Sequence, residues 1–532
     1  MSNPKARPCE EGVVRSVRAT AECAPNRKKW VLAVTVLAST MAFIDESVVN
    51  VALPAIETDL HASVAVIQWL INAYTLSMAA LLLIGGAAGD RFGRRRVFLL
   101  GTGLFAAASA ACGFSSNVTQ LILSRAVQGV GAALLIPCSL AILGAAFKEN
   151  ERGKAIGTWA GASSIAAAIG PLLGGFLVDH GSWRYIFLIN PVIALPILLM
   201  AWRHVPESRD PDSPAGLDWR GALLAFAGLG SLVYGLIASP TRGWGDPLVI
   251  ASLGLGALLL AAFVWEEGRS AAPMMPLPLF RSGLFSGVNL LTFLLYGALG
   301  GAFFFLPFSL IQIHGYSATR AGAVFLPFTL LMAGLSRWSG GLLDRYGARL
   351  PLIVGPAIAA LGLGLLALPS RDAPYWLAFL LPIVVLGFGM TITVAPLTTS
   401  VINAVPERQT GVASGINNAV AAVASLLAVA ALGVVALGVF DRALDRQLEV
   451  RNLAPEARQI VAEAKGKFVT GSTKDKPENT ETARGHALVK ESLGESLRLS
   501  ILLAAGLALA GAGCSAIIIP KGKAPTQKRG DR

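Results

Sequence analysis

Two acids and one base stand where an apolar chain would carry none. The stretch "FIDESVVNVALP" (Phe43–Pro54) sets Asp45 and Glu46 side by side inside an apolar run that begins near Trp30. Arg125 interrupts a second such run, at the head of "RAVQGVGAA" (Arg125–Ala133). A charge at the centre of a membrane helix costs roughly 2.5–3.5 kcal/mol on insertion scales, and such groups face a cavity or one another and often mark proton paths. A carboxylate there can be charged or carry a proton, whereas a guanidinium stays charged. Neighbouring residues on a helix point about 100° apart, so Glu46 shares a face with Asn50, four residues on, and Asp45 shares one with Val49. If Leu53 ends the first helix at one surface, Asp45 lies about 12 Å deep; if the fourth helix starts near Val118 at that surface, Arg125 lies about 10 Å deep. Acid and base thus reach similar depth. Three readings stay open on these residues alone: a fixed ion pair that locks two helices, an arginine that snorkels to the surface, and a proton-coupled site.

The elements that must hold these groups are membrane helices. The chain of 532 residues is 54% hydrophobic and only 14% charged, where a soluble protein carries nearer a quarter charged residues. Apolar runs of about 20 residues recur throughout, each long enough to cross a ~30 Å hydrocarbon core. They start near Trp30, Val66, Val97, Val118, Ala155, Trp183, Leu217, Pro247, Leu284, Ala321, Leu350, Tyr375, Gly411 and Leu497, which predicts fourteen transmembrane helices. The net charge of +12 reflects orientation and not nucleic-acid binding. Short loops on the side of the N-terminus are rich in Lys and Arg, while the opposite short loops hold Arg184, Arg242, Arg320 and Arg371. By the positive-inside bias both termini lie in the cytoplasm. Residues 1–29 show no cleavable signal, so the first helix is read as an uncleaved anchor. The five cysteines suggest no disulfide framework, since Cys9 and Cys23 sit in the tail and Cys112, Cys138 and Cys514 in apolar runs. No G-x-x-x-x-G-K-[ST] loop is present for ATP. The chain is read as no enzyme, with no catalytic residue, metal or cofactor.

An internal repeat orders the helices. In "GGAAGDRFGRRRVF" (Gly85–Phe98), Gly86, Asp90, Arg91, Gly93 and Arg95 match Gly340, Asp344, Arg345, Gly347 and Arg349 of "GGLLDRYGARL" (Gly340–Leu350) at an offset of 254. A second echo, at an offset of 258, matches Glu149, Gly153, Ala155 and Gly157 to Glu407, Gly411, Ala413 and Gly415. Helices one to six then correspond to nine to fourteen, with seven and eight inserted. This divides the chain into a cytoplasmic tail (1–29), a six-helix bundle (30–202), two inserted helices and their linkers (203–283), a second bundle (284–519) that includes an external, partly disordered loop at about 441–496, and a second cytoplasmic tail (520–532). "PEARQIVAEAKGKF" within that loop reads as a short helix. Near residues 299 and 383, where the repeat would echo the acid and the base, the second half has neither; the membrane charges belong to the first half alone.

Four motifs carry a resemblance to the major facilitator superfamily, in its fourteen-helix drug:proton antiporter branch. "GAAGDRFGRR" (Gly86–Arg95) is similar to the superfamily's loop between helices two and three. "DESVVNVALP" (Asp45–Pro54) resembles the branch signature of helix one. "RAVQGVGAA" resembles the helix-four motif, and "GPLLGG" (Gly170–Gly175) the antiporter motif of helix five. The resemblance spans about residues 30–519 and implies an all-α integral membrane protein: two six-helix bundles with two additional helices between them, and a substrate site at the repeat interface.

It also implies roles. Asp45, Glu46 and Arg125 would couple transport to protons. The family motif has its acid at Asp45 and a variable residue next, so Glu46 is a departure: a second proton carrier, a contact for a cationic substrate, or an acid kept neutral by burial. Gly86, Asp90, Arg91, Gly93, Arg94, Arg95, Asp344 and Arg345 would form a cytoplasmic latch between the halves, with Asp90 accepting from a helix N-terminus and the arginines pairing with acids on helix ends. Gly170, Pro171, Gly174 and Gly175 would make a close, kinked contact in helix five against proton leak, Pro171 preventing a regular helix; Ala166 and Ala168 stand where the family has further glycines. Asn50, Trp69, Asn72, Tyr74, Gln128, Asn289, Tyr296 and Asn417 are candidates for a mostly apolar substrate pocket with a few polar handles, though each alone suits helix packing as well.

The function implied is proton-coupled export of small amphipathic or cationic organic compounds across the bacterial inner membrane by alternating access. It needs no cofactor beyond the proton gradient. Its partners are substrate, protons and the lipid bilayer, with a periplasmic adaptor protein as a candidate. Two alternatives remain: a transporter of one metabolite, by export or proton symport, and a non-transporting receptor or scaffold, for which the only candidate soluble region is 441–496.

Overall fold

The computed structural model describes residues 25–147, 149–210, 216–270, 272–368, 374–406, 409–450, 453–465 and 480–520. In lipid a backbone must satisfy its own polar groups, and the described chain is helical with short connections. The first eight helices are α1 (Pro25–Asp59), α2 (Val64–Phe92), α3 (Arg94–Gly113), α4 (Val118–Ala146), α5 (Glu149–His180), α6 (Tyr185–His204), α7 (Trp219–Arg242) and α8 (Pro247–Arg269). Then follow α9 (Gly283–Phe308), α10 (Ala318–Ala323), α11 (Leu326–Tyr346), α12 (Pro351–Leu366), α13 (Leu381–Asn403), α14 (Thr410–Val450), α15 (Pro455–Glu463) and α16 (Thr480–Ile518). Among the described residues, twelve helices are long and apolar enough to cross a membrane. The 32-residue α5 and the 16-residue α12 fall outside that count.

The chain forms two compact units. The first holds the described residues up to Met274 together with Tyr316–Ala323; the second holds Met275–Gly315, Val324–Lys465 and the described residues from 480 on. The inserted helices α7 and α8 pack on each other, and α7 packs on α2, so both belong to the first unit.

Within the first unit α4 is the central member, packed on α2 and α3. Glycine permits this. A methyl group at Gly129 would lie 2.3 Å from the Tyr74 carbonyl oxygen on α2, and one at Gly131 would lie 2.6 Å from the Phe105 nitrogen on α3. Both obstacles are backbone atoms and cannot swing aside. Gly129→Val is therefore expected to lower stability by about 3 kcal/mol, the upper range for overpacking. Gly103→Val, where a methyl meets nothing within 4 Å, should leave the thermal unfolding temperature in detergent unchanged. Equal melting of the two variants would refute this packing.

The two loops of the sequence repeat are built alike. Gly93 (φ +111°) ends α2 and Gly347 (φ +72°) ends α11, in backbone that favours glycine. Arg91 stacks over the Phe92 ring at 5.4 Å and Arg345 over the Tyr346 ring at 5.5 Å. Arg95 donates to the Val205 carbonyl that follows α6 (3.1 Å), and Arg349 donates to the Ala516 carbonyl near the end of α16.

The 441–496 stretch departs from the loop expected there. α14 has 41 residues and α16 has 39, about 60 Å each, or twice the hydrocarbon thickness. Both flanking helices continue beyond the apolar runs, because charged side chains that end a hydropathy signal do not end a helix. α15 packs against α16, Lys465 pairs with Asp445, and Arg446 lies 3.9 Å from Glu495. Most of "TGSTKDKPENTET", residues 470–479, lies outside the described residues.

Candidate functional site

Asp45 is fully buried and Arg125 is 2% exposed. The Arg125 guanidinium donates to Asp45 Oδ2 at 2.6 Å. The other carboxylate oxygen, Oδ1, accepts from Gln128 Nε2 at 2.8 Å and from Asn190 Nδ2 at 2.7 Å. Donors from two helices, α4 and α6, thus converge on one acid of α1. The surroundings extend the network. Arg125 also donates to Gln128 Oε1 (2.8 Å) and lies 4.2 Å over the Tyr74 ring of α2, a favourable contact for a desolvated cation. Asn190 Nδ2 donates to Ser109 Oγ of α3 (2.9 Å), and Ser109 donates to the Phe187 carbonyl (2.9 Å). The arginine is buried and held by these partners.

Glu46 is placed differently. Its neighbour is buried, but Glu46, about 100° around α1, is exposed, and its backbone carbonyl accepts from the half-buried Asn50 amide at 3.4 Å. The 100° turn between adjacent residues separates the two acids into one enclosed and one accessible.

The helix-five motif abuts this region. A methyl at Gly170 would meet Ser47 Oγ at 1.9 Å, and one at Gly174 would meet Val48 Cγ2 at 2.3 Å. α5 therefore lies directly against the segment of α1 that carries Asp45. Its other small face meets α10, where methyls at Gly175 and Gly322 would lie 2.2 Å from the Ala318 oxygen and 2.0 Å from the Pro171 oxygen. Asp179 fastens the same contact by accepting from the Ala318 and Thr319 nitrogens (3.1 and 2.8 Å). α5 continues through Pro171 as one helix.

The loop residues find partners inside the first unit. Asp90 accepts from Arg94 at 2.8 Å, within the turn. Glu207, in the segment after α6, accepts from the Arg95 nitrogen (3.0 Å), and its carboxylate lies 3.9 Å from Arg95 Nε and 3.6 Å from Arg96 Nε. Arg91 is exposed, and Gly86 is half-buried near Pro137. The Asp344 side chain lies outside the described residues. Glu207→Ala should lower the unfolding temperature, by the equivalent of about 1–2 kcal/mol for lost charge-assisted bonds, and Arg96→Ala by much less, because Arg96 is largely exposed. Comparable losses in both would contradict this ranking.

The substrate candidates divide. Gln128 and Tyr74 belong to the Asp45 network. Asn72 is buried on α2, with neither amide atom hydrogen-bonded among the described residues. Trp69 is half-buried, its ring 6.5 Å from Tyr234 of α7. In the second unit, Asn417 Nδ2 donates to Asn289 Oδ1 (3.1 Å) and Thr292 Oγ1 (2.7 Å), joining α14 to α9. Tyr296 is half-buried on α9.

Residues 35–429 match the Major Facilitator Superfamily family model. The chain belongs to the major facilitator superfamily. This facilitator is 35% identical over 395 residues to the tetracenomycin C resistance and export protein of Streptomyces glaucescens, covering 74% of this chain and 73% of that one. It is 36% identical to the methylenomycin A resistance protein of Bacillus subtilis (76% and 87% covered) and 35% identical to multidrug resistance protein Stp of Mycobacterium tuberculosis (81% and 80%). Its fold resembles a bacterial homologue of the lysosomal transporter Spinster in an inward-facing structure (TM-score 0.65, 17% identity, 93% and 97% covered) and a D-xylose-proton symporter (0.59, 16%, 92% and 98%). It is a multi-pass membrane transporter.

Three groups of the facilitator's site escaped the sequence reading: Asn190, Ser109 and Glu207. Asn190 did leave a signal, an amide before a proline inside the apolar run "YIFLINPVIALP", but nothing in that run says which helix it meets.

Proposed function

We propose that this facilitator exports small amphipathic or cationic organic compounds in exchange for protons. The observation that carries the reading is Asp45: a fully buried acid facing a permanent cation and two amide donors, on a helix where burying charge is costly. Protonation removes its attraction for Arg125 and shifts the equilibrium between two cavity orientations; deprotonation restores it. The antibiotic and multidrug resistance names of relatives at 35–36% identity support the substrate class and the direction. Glu46, accessible beside the buried acid, suits a cationic substrate group. The glycine face of α5 against α1 supports a seal at Asp45, and the paired loops after α2 and α11 support a latch that opens and closes between states.

The chain crosses the inner membrane fourteen times in this account, α5 and α12 making up the number, with both termini in the cytoplasm. The driving force is the proton gradient, with no cofactor. Each proton moving inward at 100 mV supplies about 2.3 kcal/mol.

The test is uptake of ethidium and a panel of antibiotics by everted membrane vesicles holding the full chain. An acid-interior gradient should drive accumulation, and a protonophore should abolish it. Gradient-independent uptake, or loss of substrate from vesicles under the same gradient, would overturn proton-coupled export.

A further inference from the structure

Every group bonded to Asp45 is a donor. That arrangement suits a carboxylate, which only accepts, but an acid carrying a proton needs an acceptor for it. Gln128 Oε1 is already occupied by Arg125. Asn190 Oδ1 is buried and has no hydrogen-bond partner among the described residues, and a buried amide oxygen left so calls for a reason. The amide's two ends are nearly equal in size. A half-turn about its last side-chain bond would set Oδ1 where Nδ2 now stands, 2.7 Å from Asp45 Oδ1 and 2.9 Å from Ser109 Oγ. Asn190 would then accept the proton of the neutral acid, and the Ser109 hydroxyl could swing from the Phe187 carbonyl to donate to it.

We infer that Asn190 is a positioning residue whose amide, steadied by Ser109, donates to charged Asp45 and accepts from protonated Asp45, and so sets the pH at which the acid loads. This rests on the reading that Asp45 takes up the transported proton. The other titratable or charged groups within electrostatic reach of the acid are Arg125 of α4, Tyr74 of α2, Cys112 of α3 and Glu46 of α1. α5 meets this part of α1 through Gly170 and Gly174. None of these offers a partner that can exchange donor for acceptor at Asp45 Oδ1. Asn190 does, from 1% exposure.

Infrared titration of the purified full chain in lipid nanodiscs tests this without a substrate. The protonated carboxyl band that Asp45→Asn removes is assigned to Asp45. In Asn190→Leu the acid loses its acceptor and the carboxylate loses a donor. Bonds to the charged form are the stronger, so the titration midpoint should rise by about one pH unit and the band should shift in frequency. Ser109→Ala, which leaves the direct donors of Asp45 in place, should shift both in the same sense by less. If Asn190→Leu does not fold, Ser109→Ala decides. Native midpoint and band in the folded variants would overturn the inference while the proton reading stands. A titration in which Asp45→Asn removes no band would overturn the reading beneath it.

Discussion

Asp45→Asn is expected to abolish uphill transport while leaving substrate binding intact. For an uncharged substrate, one proton exchanged at 100 mV, worth about 2.3 kcal/mol, sustains a concentration ratio of about 40, since 1.4 kcal/mol is tenfold. Without a titrating acid that ratio falls to one, although downhill exchange of bound substrate can continue. Asparagine has nearly the shape of aspartate but not its valences. Its NH2 would face either the Arg125 donor or the paired donors of Gln128 and Asn190. A stability loss of about 3 kcal/mol, the low end for a broken buried pair, should accompany the functional loss, so transport is compared at equal amounts of folded protein. Glu46→Gln should keep the gradient-driven ratio, because Glu46 is exposed and outside the network, and should weaken binding of cationic compounds more than neutral ones. Accumulation by Asp45→Asn at the native ratio would place coupling elsewhere in the molecule.

Arg125→Met should be the most destabilising single change in the first unit's polar network. The guanidinium neutralises a fully buried acid, bridges it to Gln128 and rests on the Tyr74 ring. Removing it leaves a buried charge unpaired, at a cost of about 3–5 kcal/mol. Lysine does not substitute: one ammonium point cannot reproduce the planar donors or the stacking. The double variant Asp45→Leu with Arg125→Met removes both charges and should recover most of the lost stability while staying uncoupled. Thermal unfolding of the two single variants and the double closes a cycle. A double variant as unstable as the sum of the singles would show that the pair is not the source of the cost. If stability returns and coupling does not, the pair is kept for function and not for fold.

Much of this was legible in the sequence, for physical reasons. Membrane helices announce themselves because lipid tolerates few alternatives. The depth of Asp45 and Arg125 followed from 1.5 Å per residue, and the two meet at 2.6 Å. The repeat loops were readable because a positive-φ turn needs glycine at one place, Gly93 and Gly347. What could not be read was which face a polar residue presents. A helix apolar all round gives no stripe to orient Gln128 or Tyr74, so their contact with Arg125 could not be read. Asn190 was hidden because an amide in an apolar run is more often helix glue. The long extensions of α14 and α16 were missed because charged, solvated helix turns carry the same composition as a loop.

The most direct measurement is proton release on binding. Purified chain in weakly buffered detergent, poised at a pH where the acid is partly protonated, is mixed with ethidium, and a pH-indicating dye reports protons set free. The account predicts release from the native chain and from Glu46→Gln where ethidium still binds, and none from Asp45→Asn at equal ethidium occupancy. Release from Asp45→Asn equal to the native would contradict Asp45 as the group through which export is driven.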